Sequence, residues 1–282
     1  SLDFVTLRIK DAVCDRFMAM AGSRPTVNTR RPDIRIDVYL DQHSFIFYLD
    51  TSGEPLFKRG LRRATVDAPL RENLAAGIVK LSGWNASQTL LDPMCGGGTI
   101  LMEAVQMGKN IPPGLGRRFA FERLHRFEAN CWQRLCEERR SRQVLDSPLA
   151  IYGCDRAEKA VHSARMNLKA AGLEQAVRLT RADLLQMNPP ADAGVLITNP
   201  PYGVRTGASQ DMAEFYPRLG DALKQRFPGW SAYFLTADLS LAKLIGLTAS
   251  RRTPLFNGAL ECRLFEFKIV RGAMRRNKTA VS

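Results

Sequence analysis

The sequence predicts an α/β fold built on a mainly parallel sheet, and three observations carry that prediction. From Thr89 onward, short apolar runs alternate with stretches of helical periodicity. Such alternation implies parallel strands with helices on both faces of the sheet. The first run, Thr89-Leu90-Leu91-Asp92, leads directly into a glycine loop, Pro93-Met94-Cys95-Gly96-Gly97-Gly98-Thr99. Finally, Asp92, Asp155, Asp183 and Asn199 each stand at or just after the end of an apolar run. In open parallel sheets ligands bind beyond the carboxyl ends of the strands, near the point where strand order reverses. Polar residues at successive ends therefore mark that edge as the working one.

Taken in order, residues 4–20 place Phe4, Leu7, Ile9, Val13 and Phe17 at helix-like spacing, with basic residues between them. Ile34, Ile36, Val38 and Leu40 then alternate with Arg35, Asp37 and Tyr39, as in a half-buried strand. Asp41–Ser44 is a turn, and Phe45–Asp50 completes a hairpin. One helix and one hairpin make a poor independent core. The chain also starts at Ser1 rather than Met, so residues 1–58 read as the C-terminal part of a larger domain.

Lys58-Arg59-Gly60-Leu61-Arg62-Arg63 is a basic linker stretch, and the linker as a whole is read as residues 59–66. Asp67 and Pro69 announce a helix by capping and by a proline in the first turn. Leu70, Leu74, Ile78 and Leu81 form its apolar stripe, and Gly83 ends it. After the glycine loop, 100–107 reads as helix, 109–121 as a loop with Pro112, Pro113 and Gly114, and 121–142 as a long charged helix. Strands follow at 151–155, 177–180, 195–199, 232–236 and 260–270, with helices at 157–171, 210–227 and from Asp238 to Ile245.

Composition bounds the function. The 282 residues are 45% hydrophobic, enough for a full core in one or two domains. The formal charge of +13, from 41 basic and 28 acidic residues, favours a polyanionic partner, most often nucleic acid. No apolar stretch approaches the ~20 residues of a membrane span, and no signal peptide is visible. The six cysteines form no Cys-x-x-Cys pair and the three histidines are scattered, so no metal site is expected. Scattered cysteines read as reduced thiols in a cytoplasmic protein.

The glycine loop could serve a dinucleotide, a triphosphate or S-adenosylmethionine. The third glycine of G-x-G-x-x-G would fall on Leu101, so the NAD fingerprint fails. No Gly-Lys-Ser/Thr follows, so the nucleoside triphosphate loop fails too. Asp92 is placed to accept from an ammonium group, and the amides of Gly96–Thr99 could meet a carboxylate at a helix N-terminus. Asp155 could hold two ribose hydroxyls, and Asp183 could accept from an adenine amino group.

Asn199-Pro200-Pro201-Tyr202 closes the strand that carries Val195–Ile197. Two prolines cannot continue a sheet ladder, so the strand end is stiff and open. An Asn oxygen, the Pro200 carbonyl and the Tyr202 ring suit a planar group bearing –NH₂. A plain proline turn is the alternative reading of the tetrapeptide taken alone.

Asp92–Thr99, Asp155, Asp183 and Asn199–Tyr202, in this order, resemble the class I S-adenosylmethionine-dependent methyltransferases, with their Rossmann-like seven-stranded sheet. The Asn-Pro-Pro-Tyr resembles that of the amino-methylating group. Residues 45–63 resemble the end of a THUMP RNA-binding domain running into its methyltransferase. Pro69–Trp84 resembles that family's leading helix. Ile111-Pro112-Pro113-Gly114 with Phe119-Ala120-Phe121-Glu122 resembles its insertion. Together these are similar to the THUMP-containing guanine-N2 RNA methyltransferases, and most to the bacterial 23S rRNA enzymes. The middle glycine, Gly97, departs from a common Ser.

The resemblance implies domains at 1–58 (THUMP, C-terminal part), 59–66 (linker), 67–272 (methyltransferase) and 273–282 (basic tail). It implies S-adenosylmethionine held by Asp92, Pro93, Cys95, Gly96, Gly98, Thr99, Asp155, Arg156, Asp183, Leu184 and Asn199. It implies catalysis by Asn199, Pro200, Pro201 and Tyr202. The expected partner is 23S rRNA or a large-subunit assembly intermediate, met by a monomer. Two other readings stand beside it: an adenine-N6 methyltransferase on RNA or DNA, and an inert RNA-binding assembly protein on the same fold.

Overall fold

The computed structural model describes residues 1–60, 70–200 and 208–270, the side chains of 208–212 excepted. The chain divides into two units: Ser1–Glu54 with Arg118–Phe127, and Pro55–Arg117 with the chain from Glu128 onward.

In the first unit, helix α1 (Leu2–Ala21) starts on Ser1, whose hydroxyl accepts the Phe4 amide, and ends at Gly22 with φ 68°. A left-handed residue there favours glycine. Strands β1 (Arg35–Leu40) and β2 (Phe45–Asp50) pair antiparallel, with Leu40 opposite Phe45 and Arg35 opposite Asp50. The turn is set by Asp41, whose carboxylate accepts the His43 and Ser44 amides. The alternation expected of the first strand holds at Ile34, Val38 and Leu40, which are partly buried between the exposed Arg35, Asp37 and Tyr39, and fails at Ile36, which is exposed. In β2, Phe45, Phe47 and Tyr48 are exposed. Residues 118–127 join this unit through a 3₁₀ turn at Ala120–Arg123, where the Phe121 amide donates to the Thr51 carbonyl at 3.0 Å.

The second unit holds the sheet. Helix α2 (Glu72–Leu81) buries Leu74, Ala75, Ile78 and Val79, whereas Leu81, predicted in the stripe, is 36% exposed. The stripe thus follows i, i+4 with its i+1 flank, and the last turn leaves the core. Asp67 and Pro69 lie outside the described residues. Strand β3 (Leu90–Asp92) is followed by α3 (Thr99–Gly108). Helix α4 covers only Ala129–Ser141, not the whole of 121–142. The expected long helix is cut because Phe121 stacks on Phe119 (5.1 Å between ring centres) and spends its amide on Thr51.

Then come β4 (Ile151–Asp155), α5 (Glu158–Ala170), β5 (Arg178–Arg181), β6 (Val195–Thr198), α6 (Ala208–Arg226), β7 (Ser231–Thr236) and α7 (Leu241–Leu244). Strands β8 (Arg251–Asn257) and β9 (Leu260–Lys268) form a terminal hairpin. The seven strands stand in the order β5-β4-β3-β6-β7-β9-β8. All neighbours are parallel except β9, which runs antiparallel to both β7 and β8. Strand order reverses between β3 and β6. Alternate residues separate two cores. Leu90, Val195 and Ile197 pack with Leu74, Ile78, Leu101 and Leu168 from α2, α3 and α5. Leu91, Leu196 and Phe234 pack with Tyr216, Leu223 and Leu241 from α6 and α7.

Candidate active site at the carboxyl ends of the strands

The four predicted polar residues stand at or just after the carboxyl ends of β3, β4, β5 and β6, with Asp92 and Asn199 at the reversal itself. Asp92 is the last residue of β3 and only 1% exposed. Its Oδ1 accepts from Thr198 Oγ1 at 2.9 Å and from the Met94 amide at 3.3 Å. Among the described residues Oδ2 has no hydrogen-bond donor, which leaves it for a cationic ligand. Burial pushes the carboxyl up to about 7, with the hydrogen bonds opposing and the Asp155 charge adding to the rise.

The glycine loop is tied to the next strand. The Cys95 amide donates to the Cys154 carbonyl (2.9 Å) and the Gly96 amide donates to Asp155 Oδ2 (3.1 Å). Gly98 has φ 79° and precedes α3; a Cβ there would crowd Ala164 at 3.2 Å. Its amide donates to the Cys95 carbonyl at 2.8 Å. Two of the amides expected to face a carboxylate, those of Gly96 and Gly98, are therefore engaged within the protein. Pro93 and Thr99 are buried, and the Pro93 carbonyl accepts from the Cys154 thiol at 3.6 Å. Burial raises the Cys154 thiol to about 12 and pushes Cys95 still higher, so both remain neutral and neither is a nucleophile.

Asp155 ends β4. One oxygen accepts from Gly96, and the other accepts from the Ala157 amide at 2.9 Å, at the start of α5. It is partly exposed, so lone pairs remain for a diol. The Arg156 side chain is exposed, while its carbonyl accepts from Arg181 Nε at 3.2 Å. Asp183 follows β5 and receives the Leu185 amide at 2.9 Å. The preceding Ala182 amide donates to the Asp155 carbonyl, which links the two acids, and Leu184 is 2% exposed in the core.

Asn199 follows β6. Its side-chain Oδ1 is buried and, among the described residues, has no hydrogen-bond partner. An orphaned buried acceptor costs about 1–3 kcal/mol, and it fits a ligand that brings an N–H. Pro200 is buried; Pro201 and Tyr202 lie outside the described residues.

Two residues of this site escaped the sequence reading. Thr198 was seen only as part of a strand. Asn167 of α5 is fully buried and donates to the Gly97 carbonyl at 3.0 Å. Nothing in an amphipathic helix pattern shows which polar residue turns inward.

The donor set matches a zwitterionic amino acid joined to a nucleoside: a buried acid at β3, a glycine loop, an exposed acid at β4 and an acid after β5. This fold and site define a class I, Rossmann-like methyltransferase. The chain belongs to the RMKL-like methyltransferase-domain family, whose profile matches residues 59–266, and the THUMP domain profile matches residues 1–50. It is 42% identical over 275 residues to a protein of Allochromatium vinosum named ribosomal RNA large subunit methyltransferase K/L, covering 94% of this chain and 37% of that one. A protein of the same name from Syntrophotalea carbinolica is 41% identical over 277 residues, with 94% and 39% covered. The chain thus spans less than two-fifths of these relatives.

Among solved structures, SMU.472, a methyltransferase by assignment and crystallised with SAH, superposes with a TM-score of 0.83 at 32% identity. The match covers 94% of this chain and 70% of that one. A predicted N6-adenine-specific DNA methylase from Listeria monocytogenes matches with a TM-score of 0.81 at 27% identity, covering 93% and 67%. Among the described residues no helix is long and apolar enough to cross a membrane, and no cluster of His, Cys, Asp or Glu could hold a metal ion.

Proposed function

We propose that this chain transfers a methyl group from S-adenosylmethionine to the exocyclic N2 amine of a guanine in 23S ribosomal RNA. The observation that carries the reading is the orphaned Asn199 Oδ1 at the strand reversal, one residue beyond the Asp92–Thr198 hydrogen bond. When bound, the cofactor supplies an electrophilic methyl group on a sulfonium. Asp92 receives its ammonium end and Asp155 its ribose, while Asp183 with Leu184 holds the adenine.

A target base must leave its stack to reach this edge. Asn199 Oδ1 and the Pro200 carbonyl then accept from its –NH₂, and Tyr202 stacks on the ring. Holding both N–H bonds favours a pyramidal nitrogen whose lone pair is free to attack, so catalysis is positioning and electrostatics. The relatives' names and the THUMP match support ribosomal RNA as substrate, either free or in a large-subunit assembly intermediate. The net charge of +13 supports a polyanion. The enzyme acts as a cytoplasmic monomer.

Adenine N6 is the second reading, favoured by the likeness to the Listeria methylase. Nucleoside mass spectrometry of 23S rRNA after reaction separates the two, and N6-methyladenosine in place of N2-methylguanosine would overturn the first. Asn199→Ala is expected to lower methyl transfer on the order of 10²–10³-fold, as for loss of a preorganised polar contact. Calorimetry with S-adenosylhomocysteine should show near-native binding. Full activity in the variant would remove Asn199 from the mechanism.

A further inference from the structure

We propose that Thr198 is a positioning residue: its hydroxyl couples Asp92, the acid that faces the cofactor, to Asn199, the residue that holds the target amine. The inference rests on the function proposed above for Asp92 and Asn199.

Backbone pairing between β3 and β6 ends early. The ladder holds Leu90↔Val195 and Leu91↔Leu196 and goes no further. Beyond that pair, Thr198 Oγ1 to Asp92 Oδ1, at 2.9 Å, ties the two strand ends together. On its other side β6 stays paired to β7 as far as Thr198↔Phe234. The bond therefore spans the strand reversal, the edge where the two ligands would meet.

Thr198 is fully buried and Asp92 nearly so. At a buried, β-branched strand position valine would pack equally well and carry no polar group to satisfy. Among the described residues the hydroxyl has one acceptor, and that acceptor is the acid assigned to the cofactor. A β-branched side chain is stiff about χ1, so fixing Oγ1 fixes the Thr198 backbone and with it the start of Asn199. A cation at Asp92 Oδ2 holds the carboxylate charged, and a charge-assisted hydrogen bond is shorter and stronger than a neutral one. Cofactor binding thereby tightens the anchor of the residue that must align the amine.

The groups that act on the Asp92 charge are the Thr198 hydroxyl, the Met94 amide and the Asp155 carboxylate on the neighbouring strand. The nearby Cys95 and Cys154 thiols stay neutral. Loss of the hydroxyl removes a contact that lowers the Asp92 pKa. The pH at which S-adenosylhomocysteine binding reaches half its maximal tightening should then move upward.

Thr198→Val keeps the shape and removes the hydroxyl; Thr198→Ser keeps the hydroxyl. Calorimetry with S-adenosylhomocysteine between pH 5.5 and 8.5 reads the first half of the coupling, and kcat at saturating cofactor on 23S rRNA reads the second. Thr198→Val is expected to lower kcat about tenfold, the scale of a single net hydrogen bond of about 1.4 kcal/mol. It should also raise the binding midpoint, and Thr198→Ser should restore both. Either change without the other overturns the coupling, as does a serine variant that behaves like valine. A fall in thermal stability with both readouts unchanged marks a purely structural hydroxyl and also overturns it. Thr198→Ala gives the same readouts if the valine protein does not fold. N6-methyladenosine in place of N2-methylguanosine in the wild-type reaction would fail the functional reading alone, because kcat for methyl transfer and the calorimetric midpoint would still read both halves of the coupling.

Discussion

Asp155 carries more than one duty, and its substitution separates them. Its two oxygens hold the Gly96 amide of the glycine loop and the Ala157 amide that opens α5. Hydrogen bonds to a charged group contribute about 1.5–3 kcal/mol each, and a cofactor diol would add its own. Asp155→Ala is therefore expected to weaken S-adenosylhomocysteine binding on the order of 10–100-fold by calorimetry, with a smaller loss of thermal stability. An unchanged Kd would take Asp155 out of the site and leave it a loop anchor. The residues of this kind were legible because an acid at the end of an apolar run has no reason to be there for packing. Thr198 and Asn167 were not legible. A hydroxyl or an amide in a strand or helix announces its bonding partner only once the neighbouring element is in place, and here the partners lie 106 and 70 residues away.

At the scale of the element, strand–helix alternation gave most of the sheet, and the errors came where local signals competed with tertiary ones. Strand β8 was missed because Arg251-Arg252-Thr253-Pro254 lacks an apolar run and contains a proline. Its edge position tolerates both, and the Asn257-Gly258 pair, with Gly258 at φ 70°, was the available hairpin signal. The charged stretch after Phe121 has helical composition throughout, but its first turn is taken by pairing with Thr51. Helix α6 shows the opposite, a strict demand hidden in a permissive residue. A Cβ on Gly220 would overlap the carbonyl oxygen of Ile245, just beyond α7. Backbone cannot swing aside as a side chain can, so Gly220→Ala should lower stability by about 1–3 kcal/mol through overpacking. Denaturant unfolding measures it, and an unchanged midpoint would show that α6 can shift away from α7.

For the whole molecule, two buried acids make folding itself depend on pH in an unusual direction. Asp92 and Glu103 are 1% and 3% exposed, and desolvation raises each to about 7. For Glu103 the Arg59 charge opposes the rise, its Nε lying 2.8 Å away. An acid whose pKa is higher folded than unfolded binds more protons in the native state. Stability is then fully present below the unfolded value of about 4 and is lost as pH climbs through about 7, by at most about 1.4 kcal/mol per pH unit for each group. The remaining carboxylates and the self-repulsion of a basic chain also shape the absolute curve, so the test is a difference. Asp92→Asn keeps an acceptor oxygen for Thr198 but cannot ionise. Relative to wild type, the Asp92→Asn protein should gain Tm steadily between pH 4.5 and pH 7.5, and Glu103→Gln should do so more weakly because it also breaks the pair with Arg59. On the proposed placement of the cofactor ammonium at Asp92, saturating S-adenosylhomocysteine should flatten the wild-type curve, because that cation would compensate the Asp92 charge. A wild-type-minus-variant difference that stays constant with pH would mean that Asp92 is ionised throughout and that its charge is already matched within the protein.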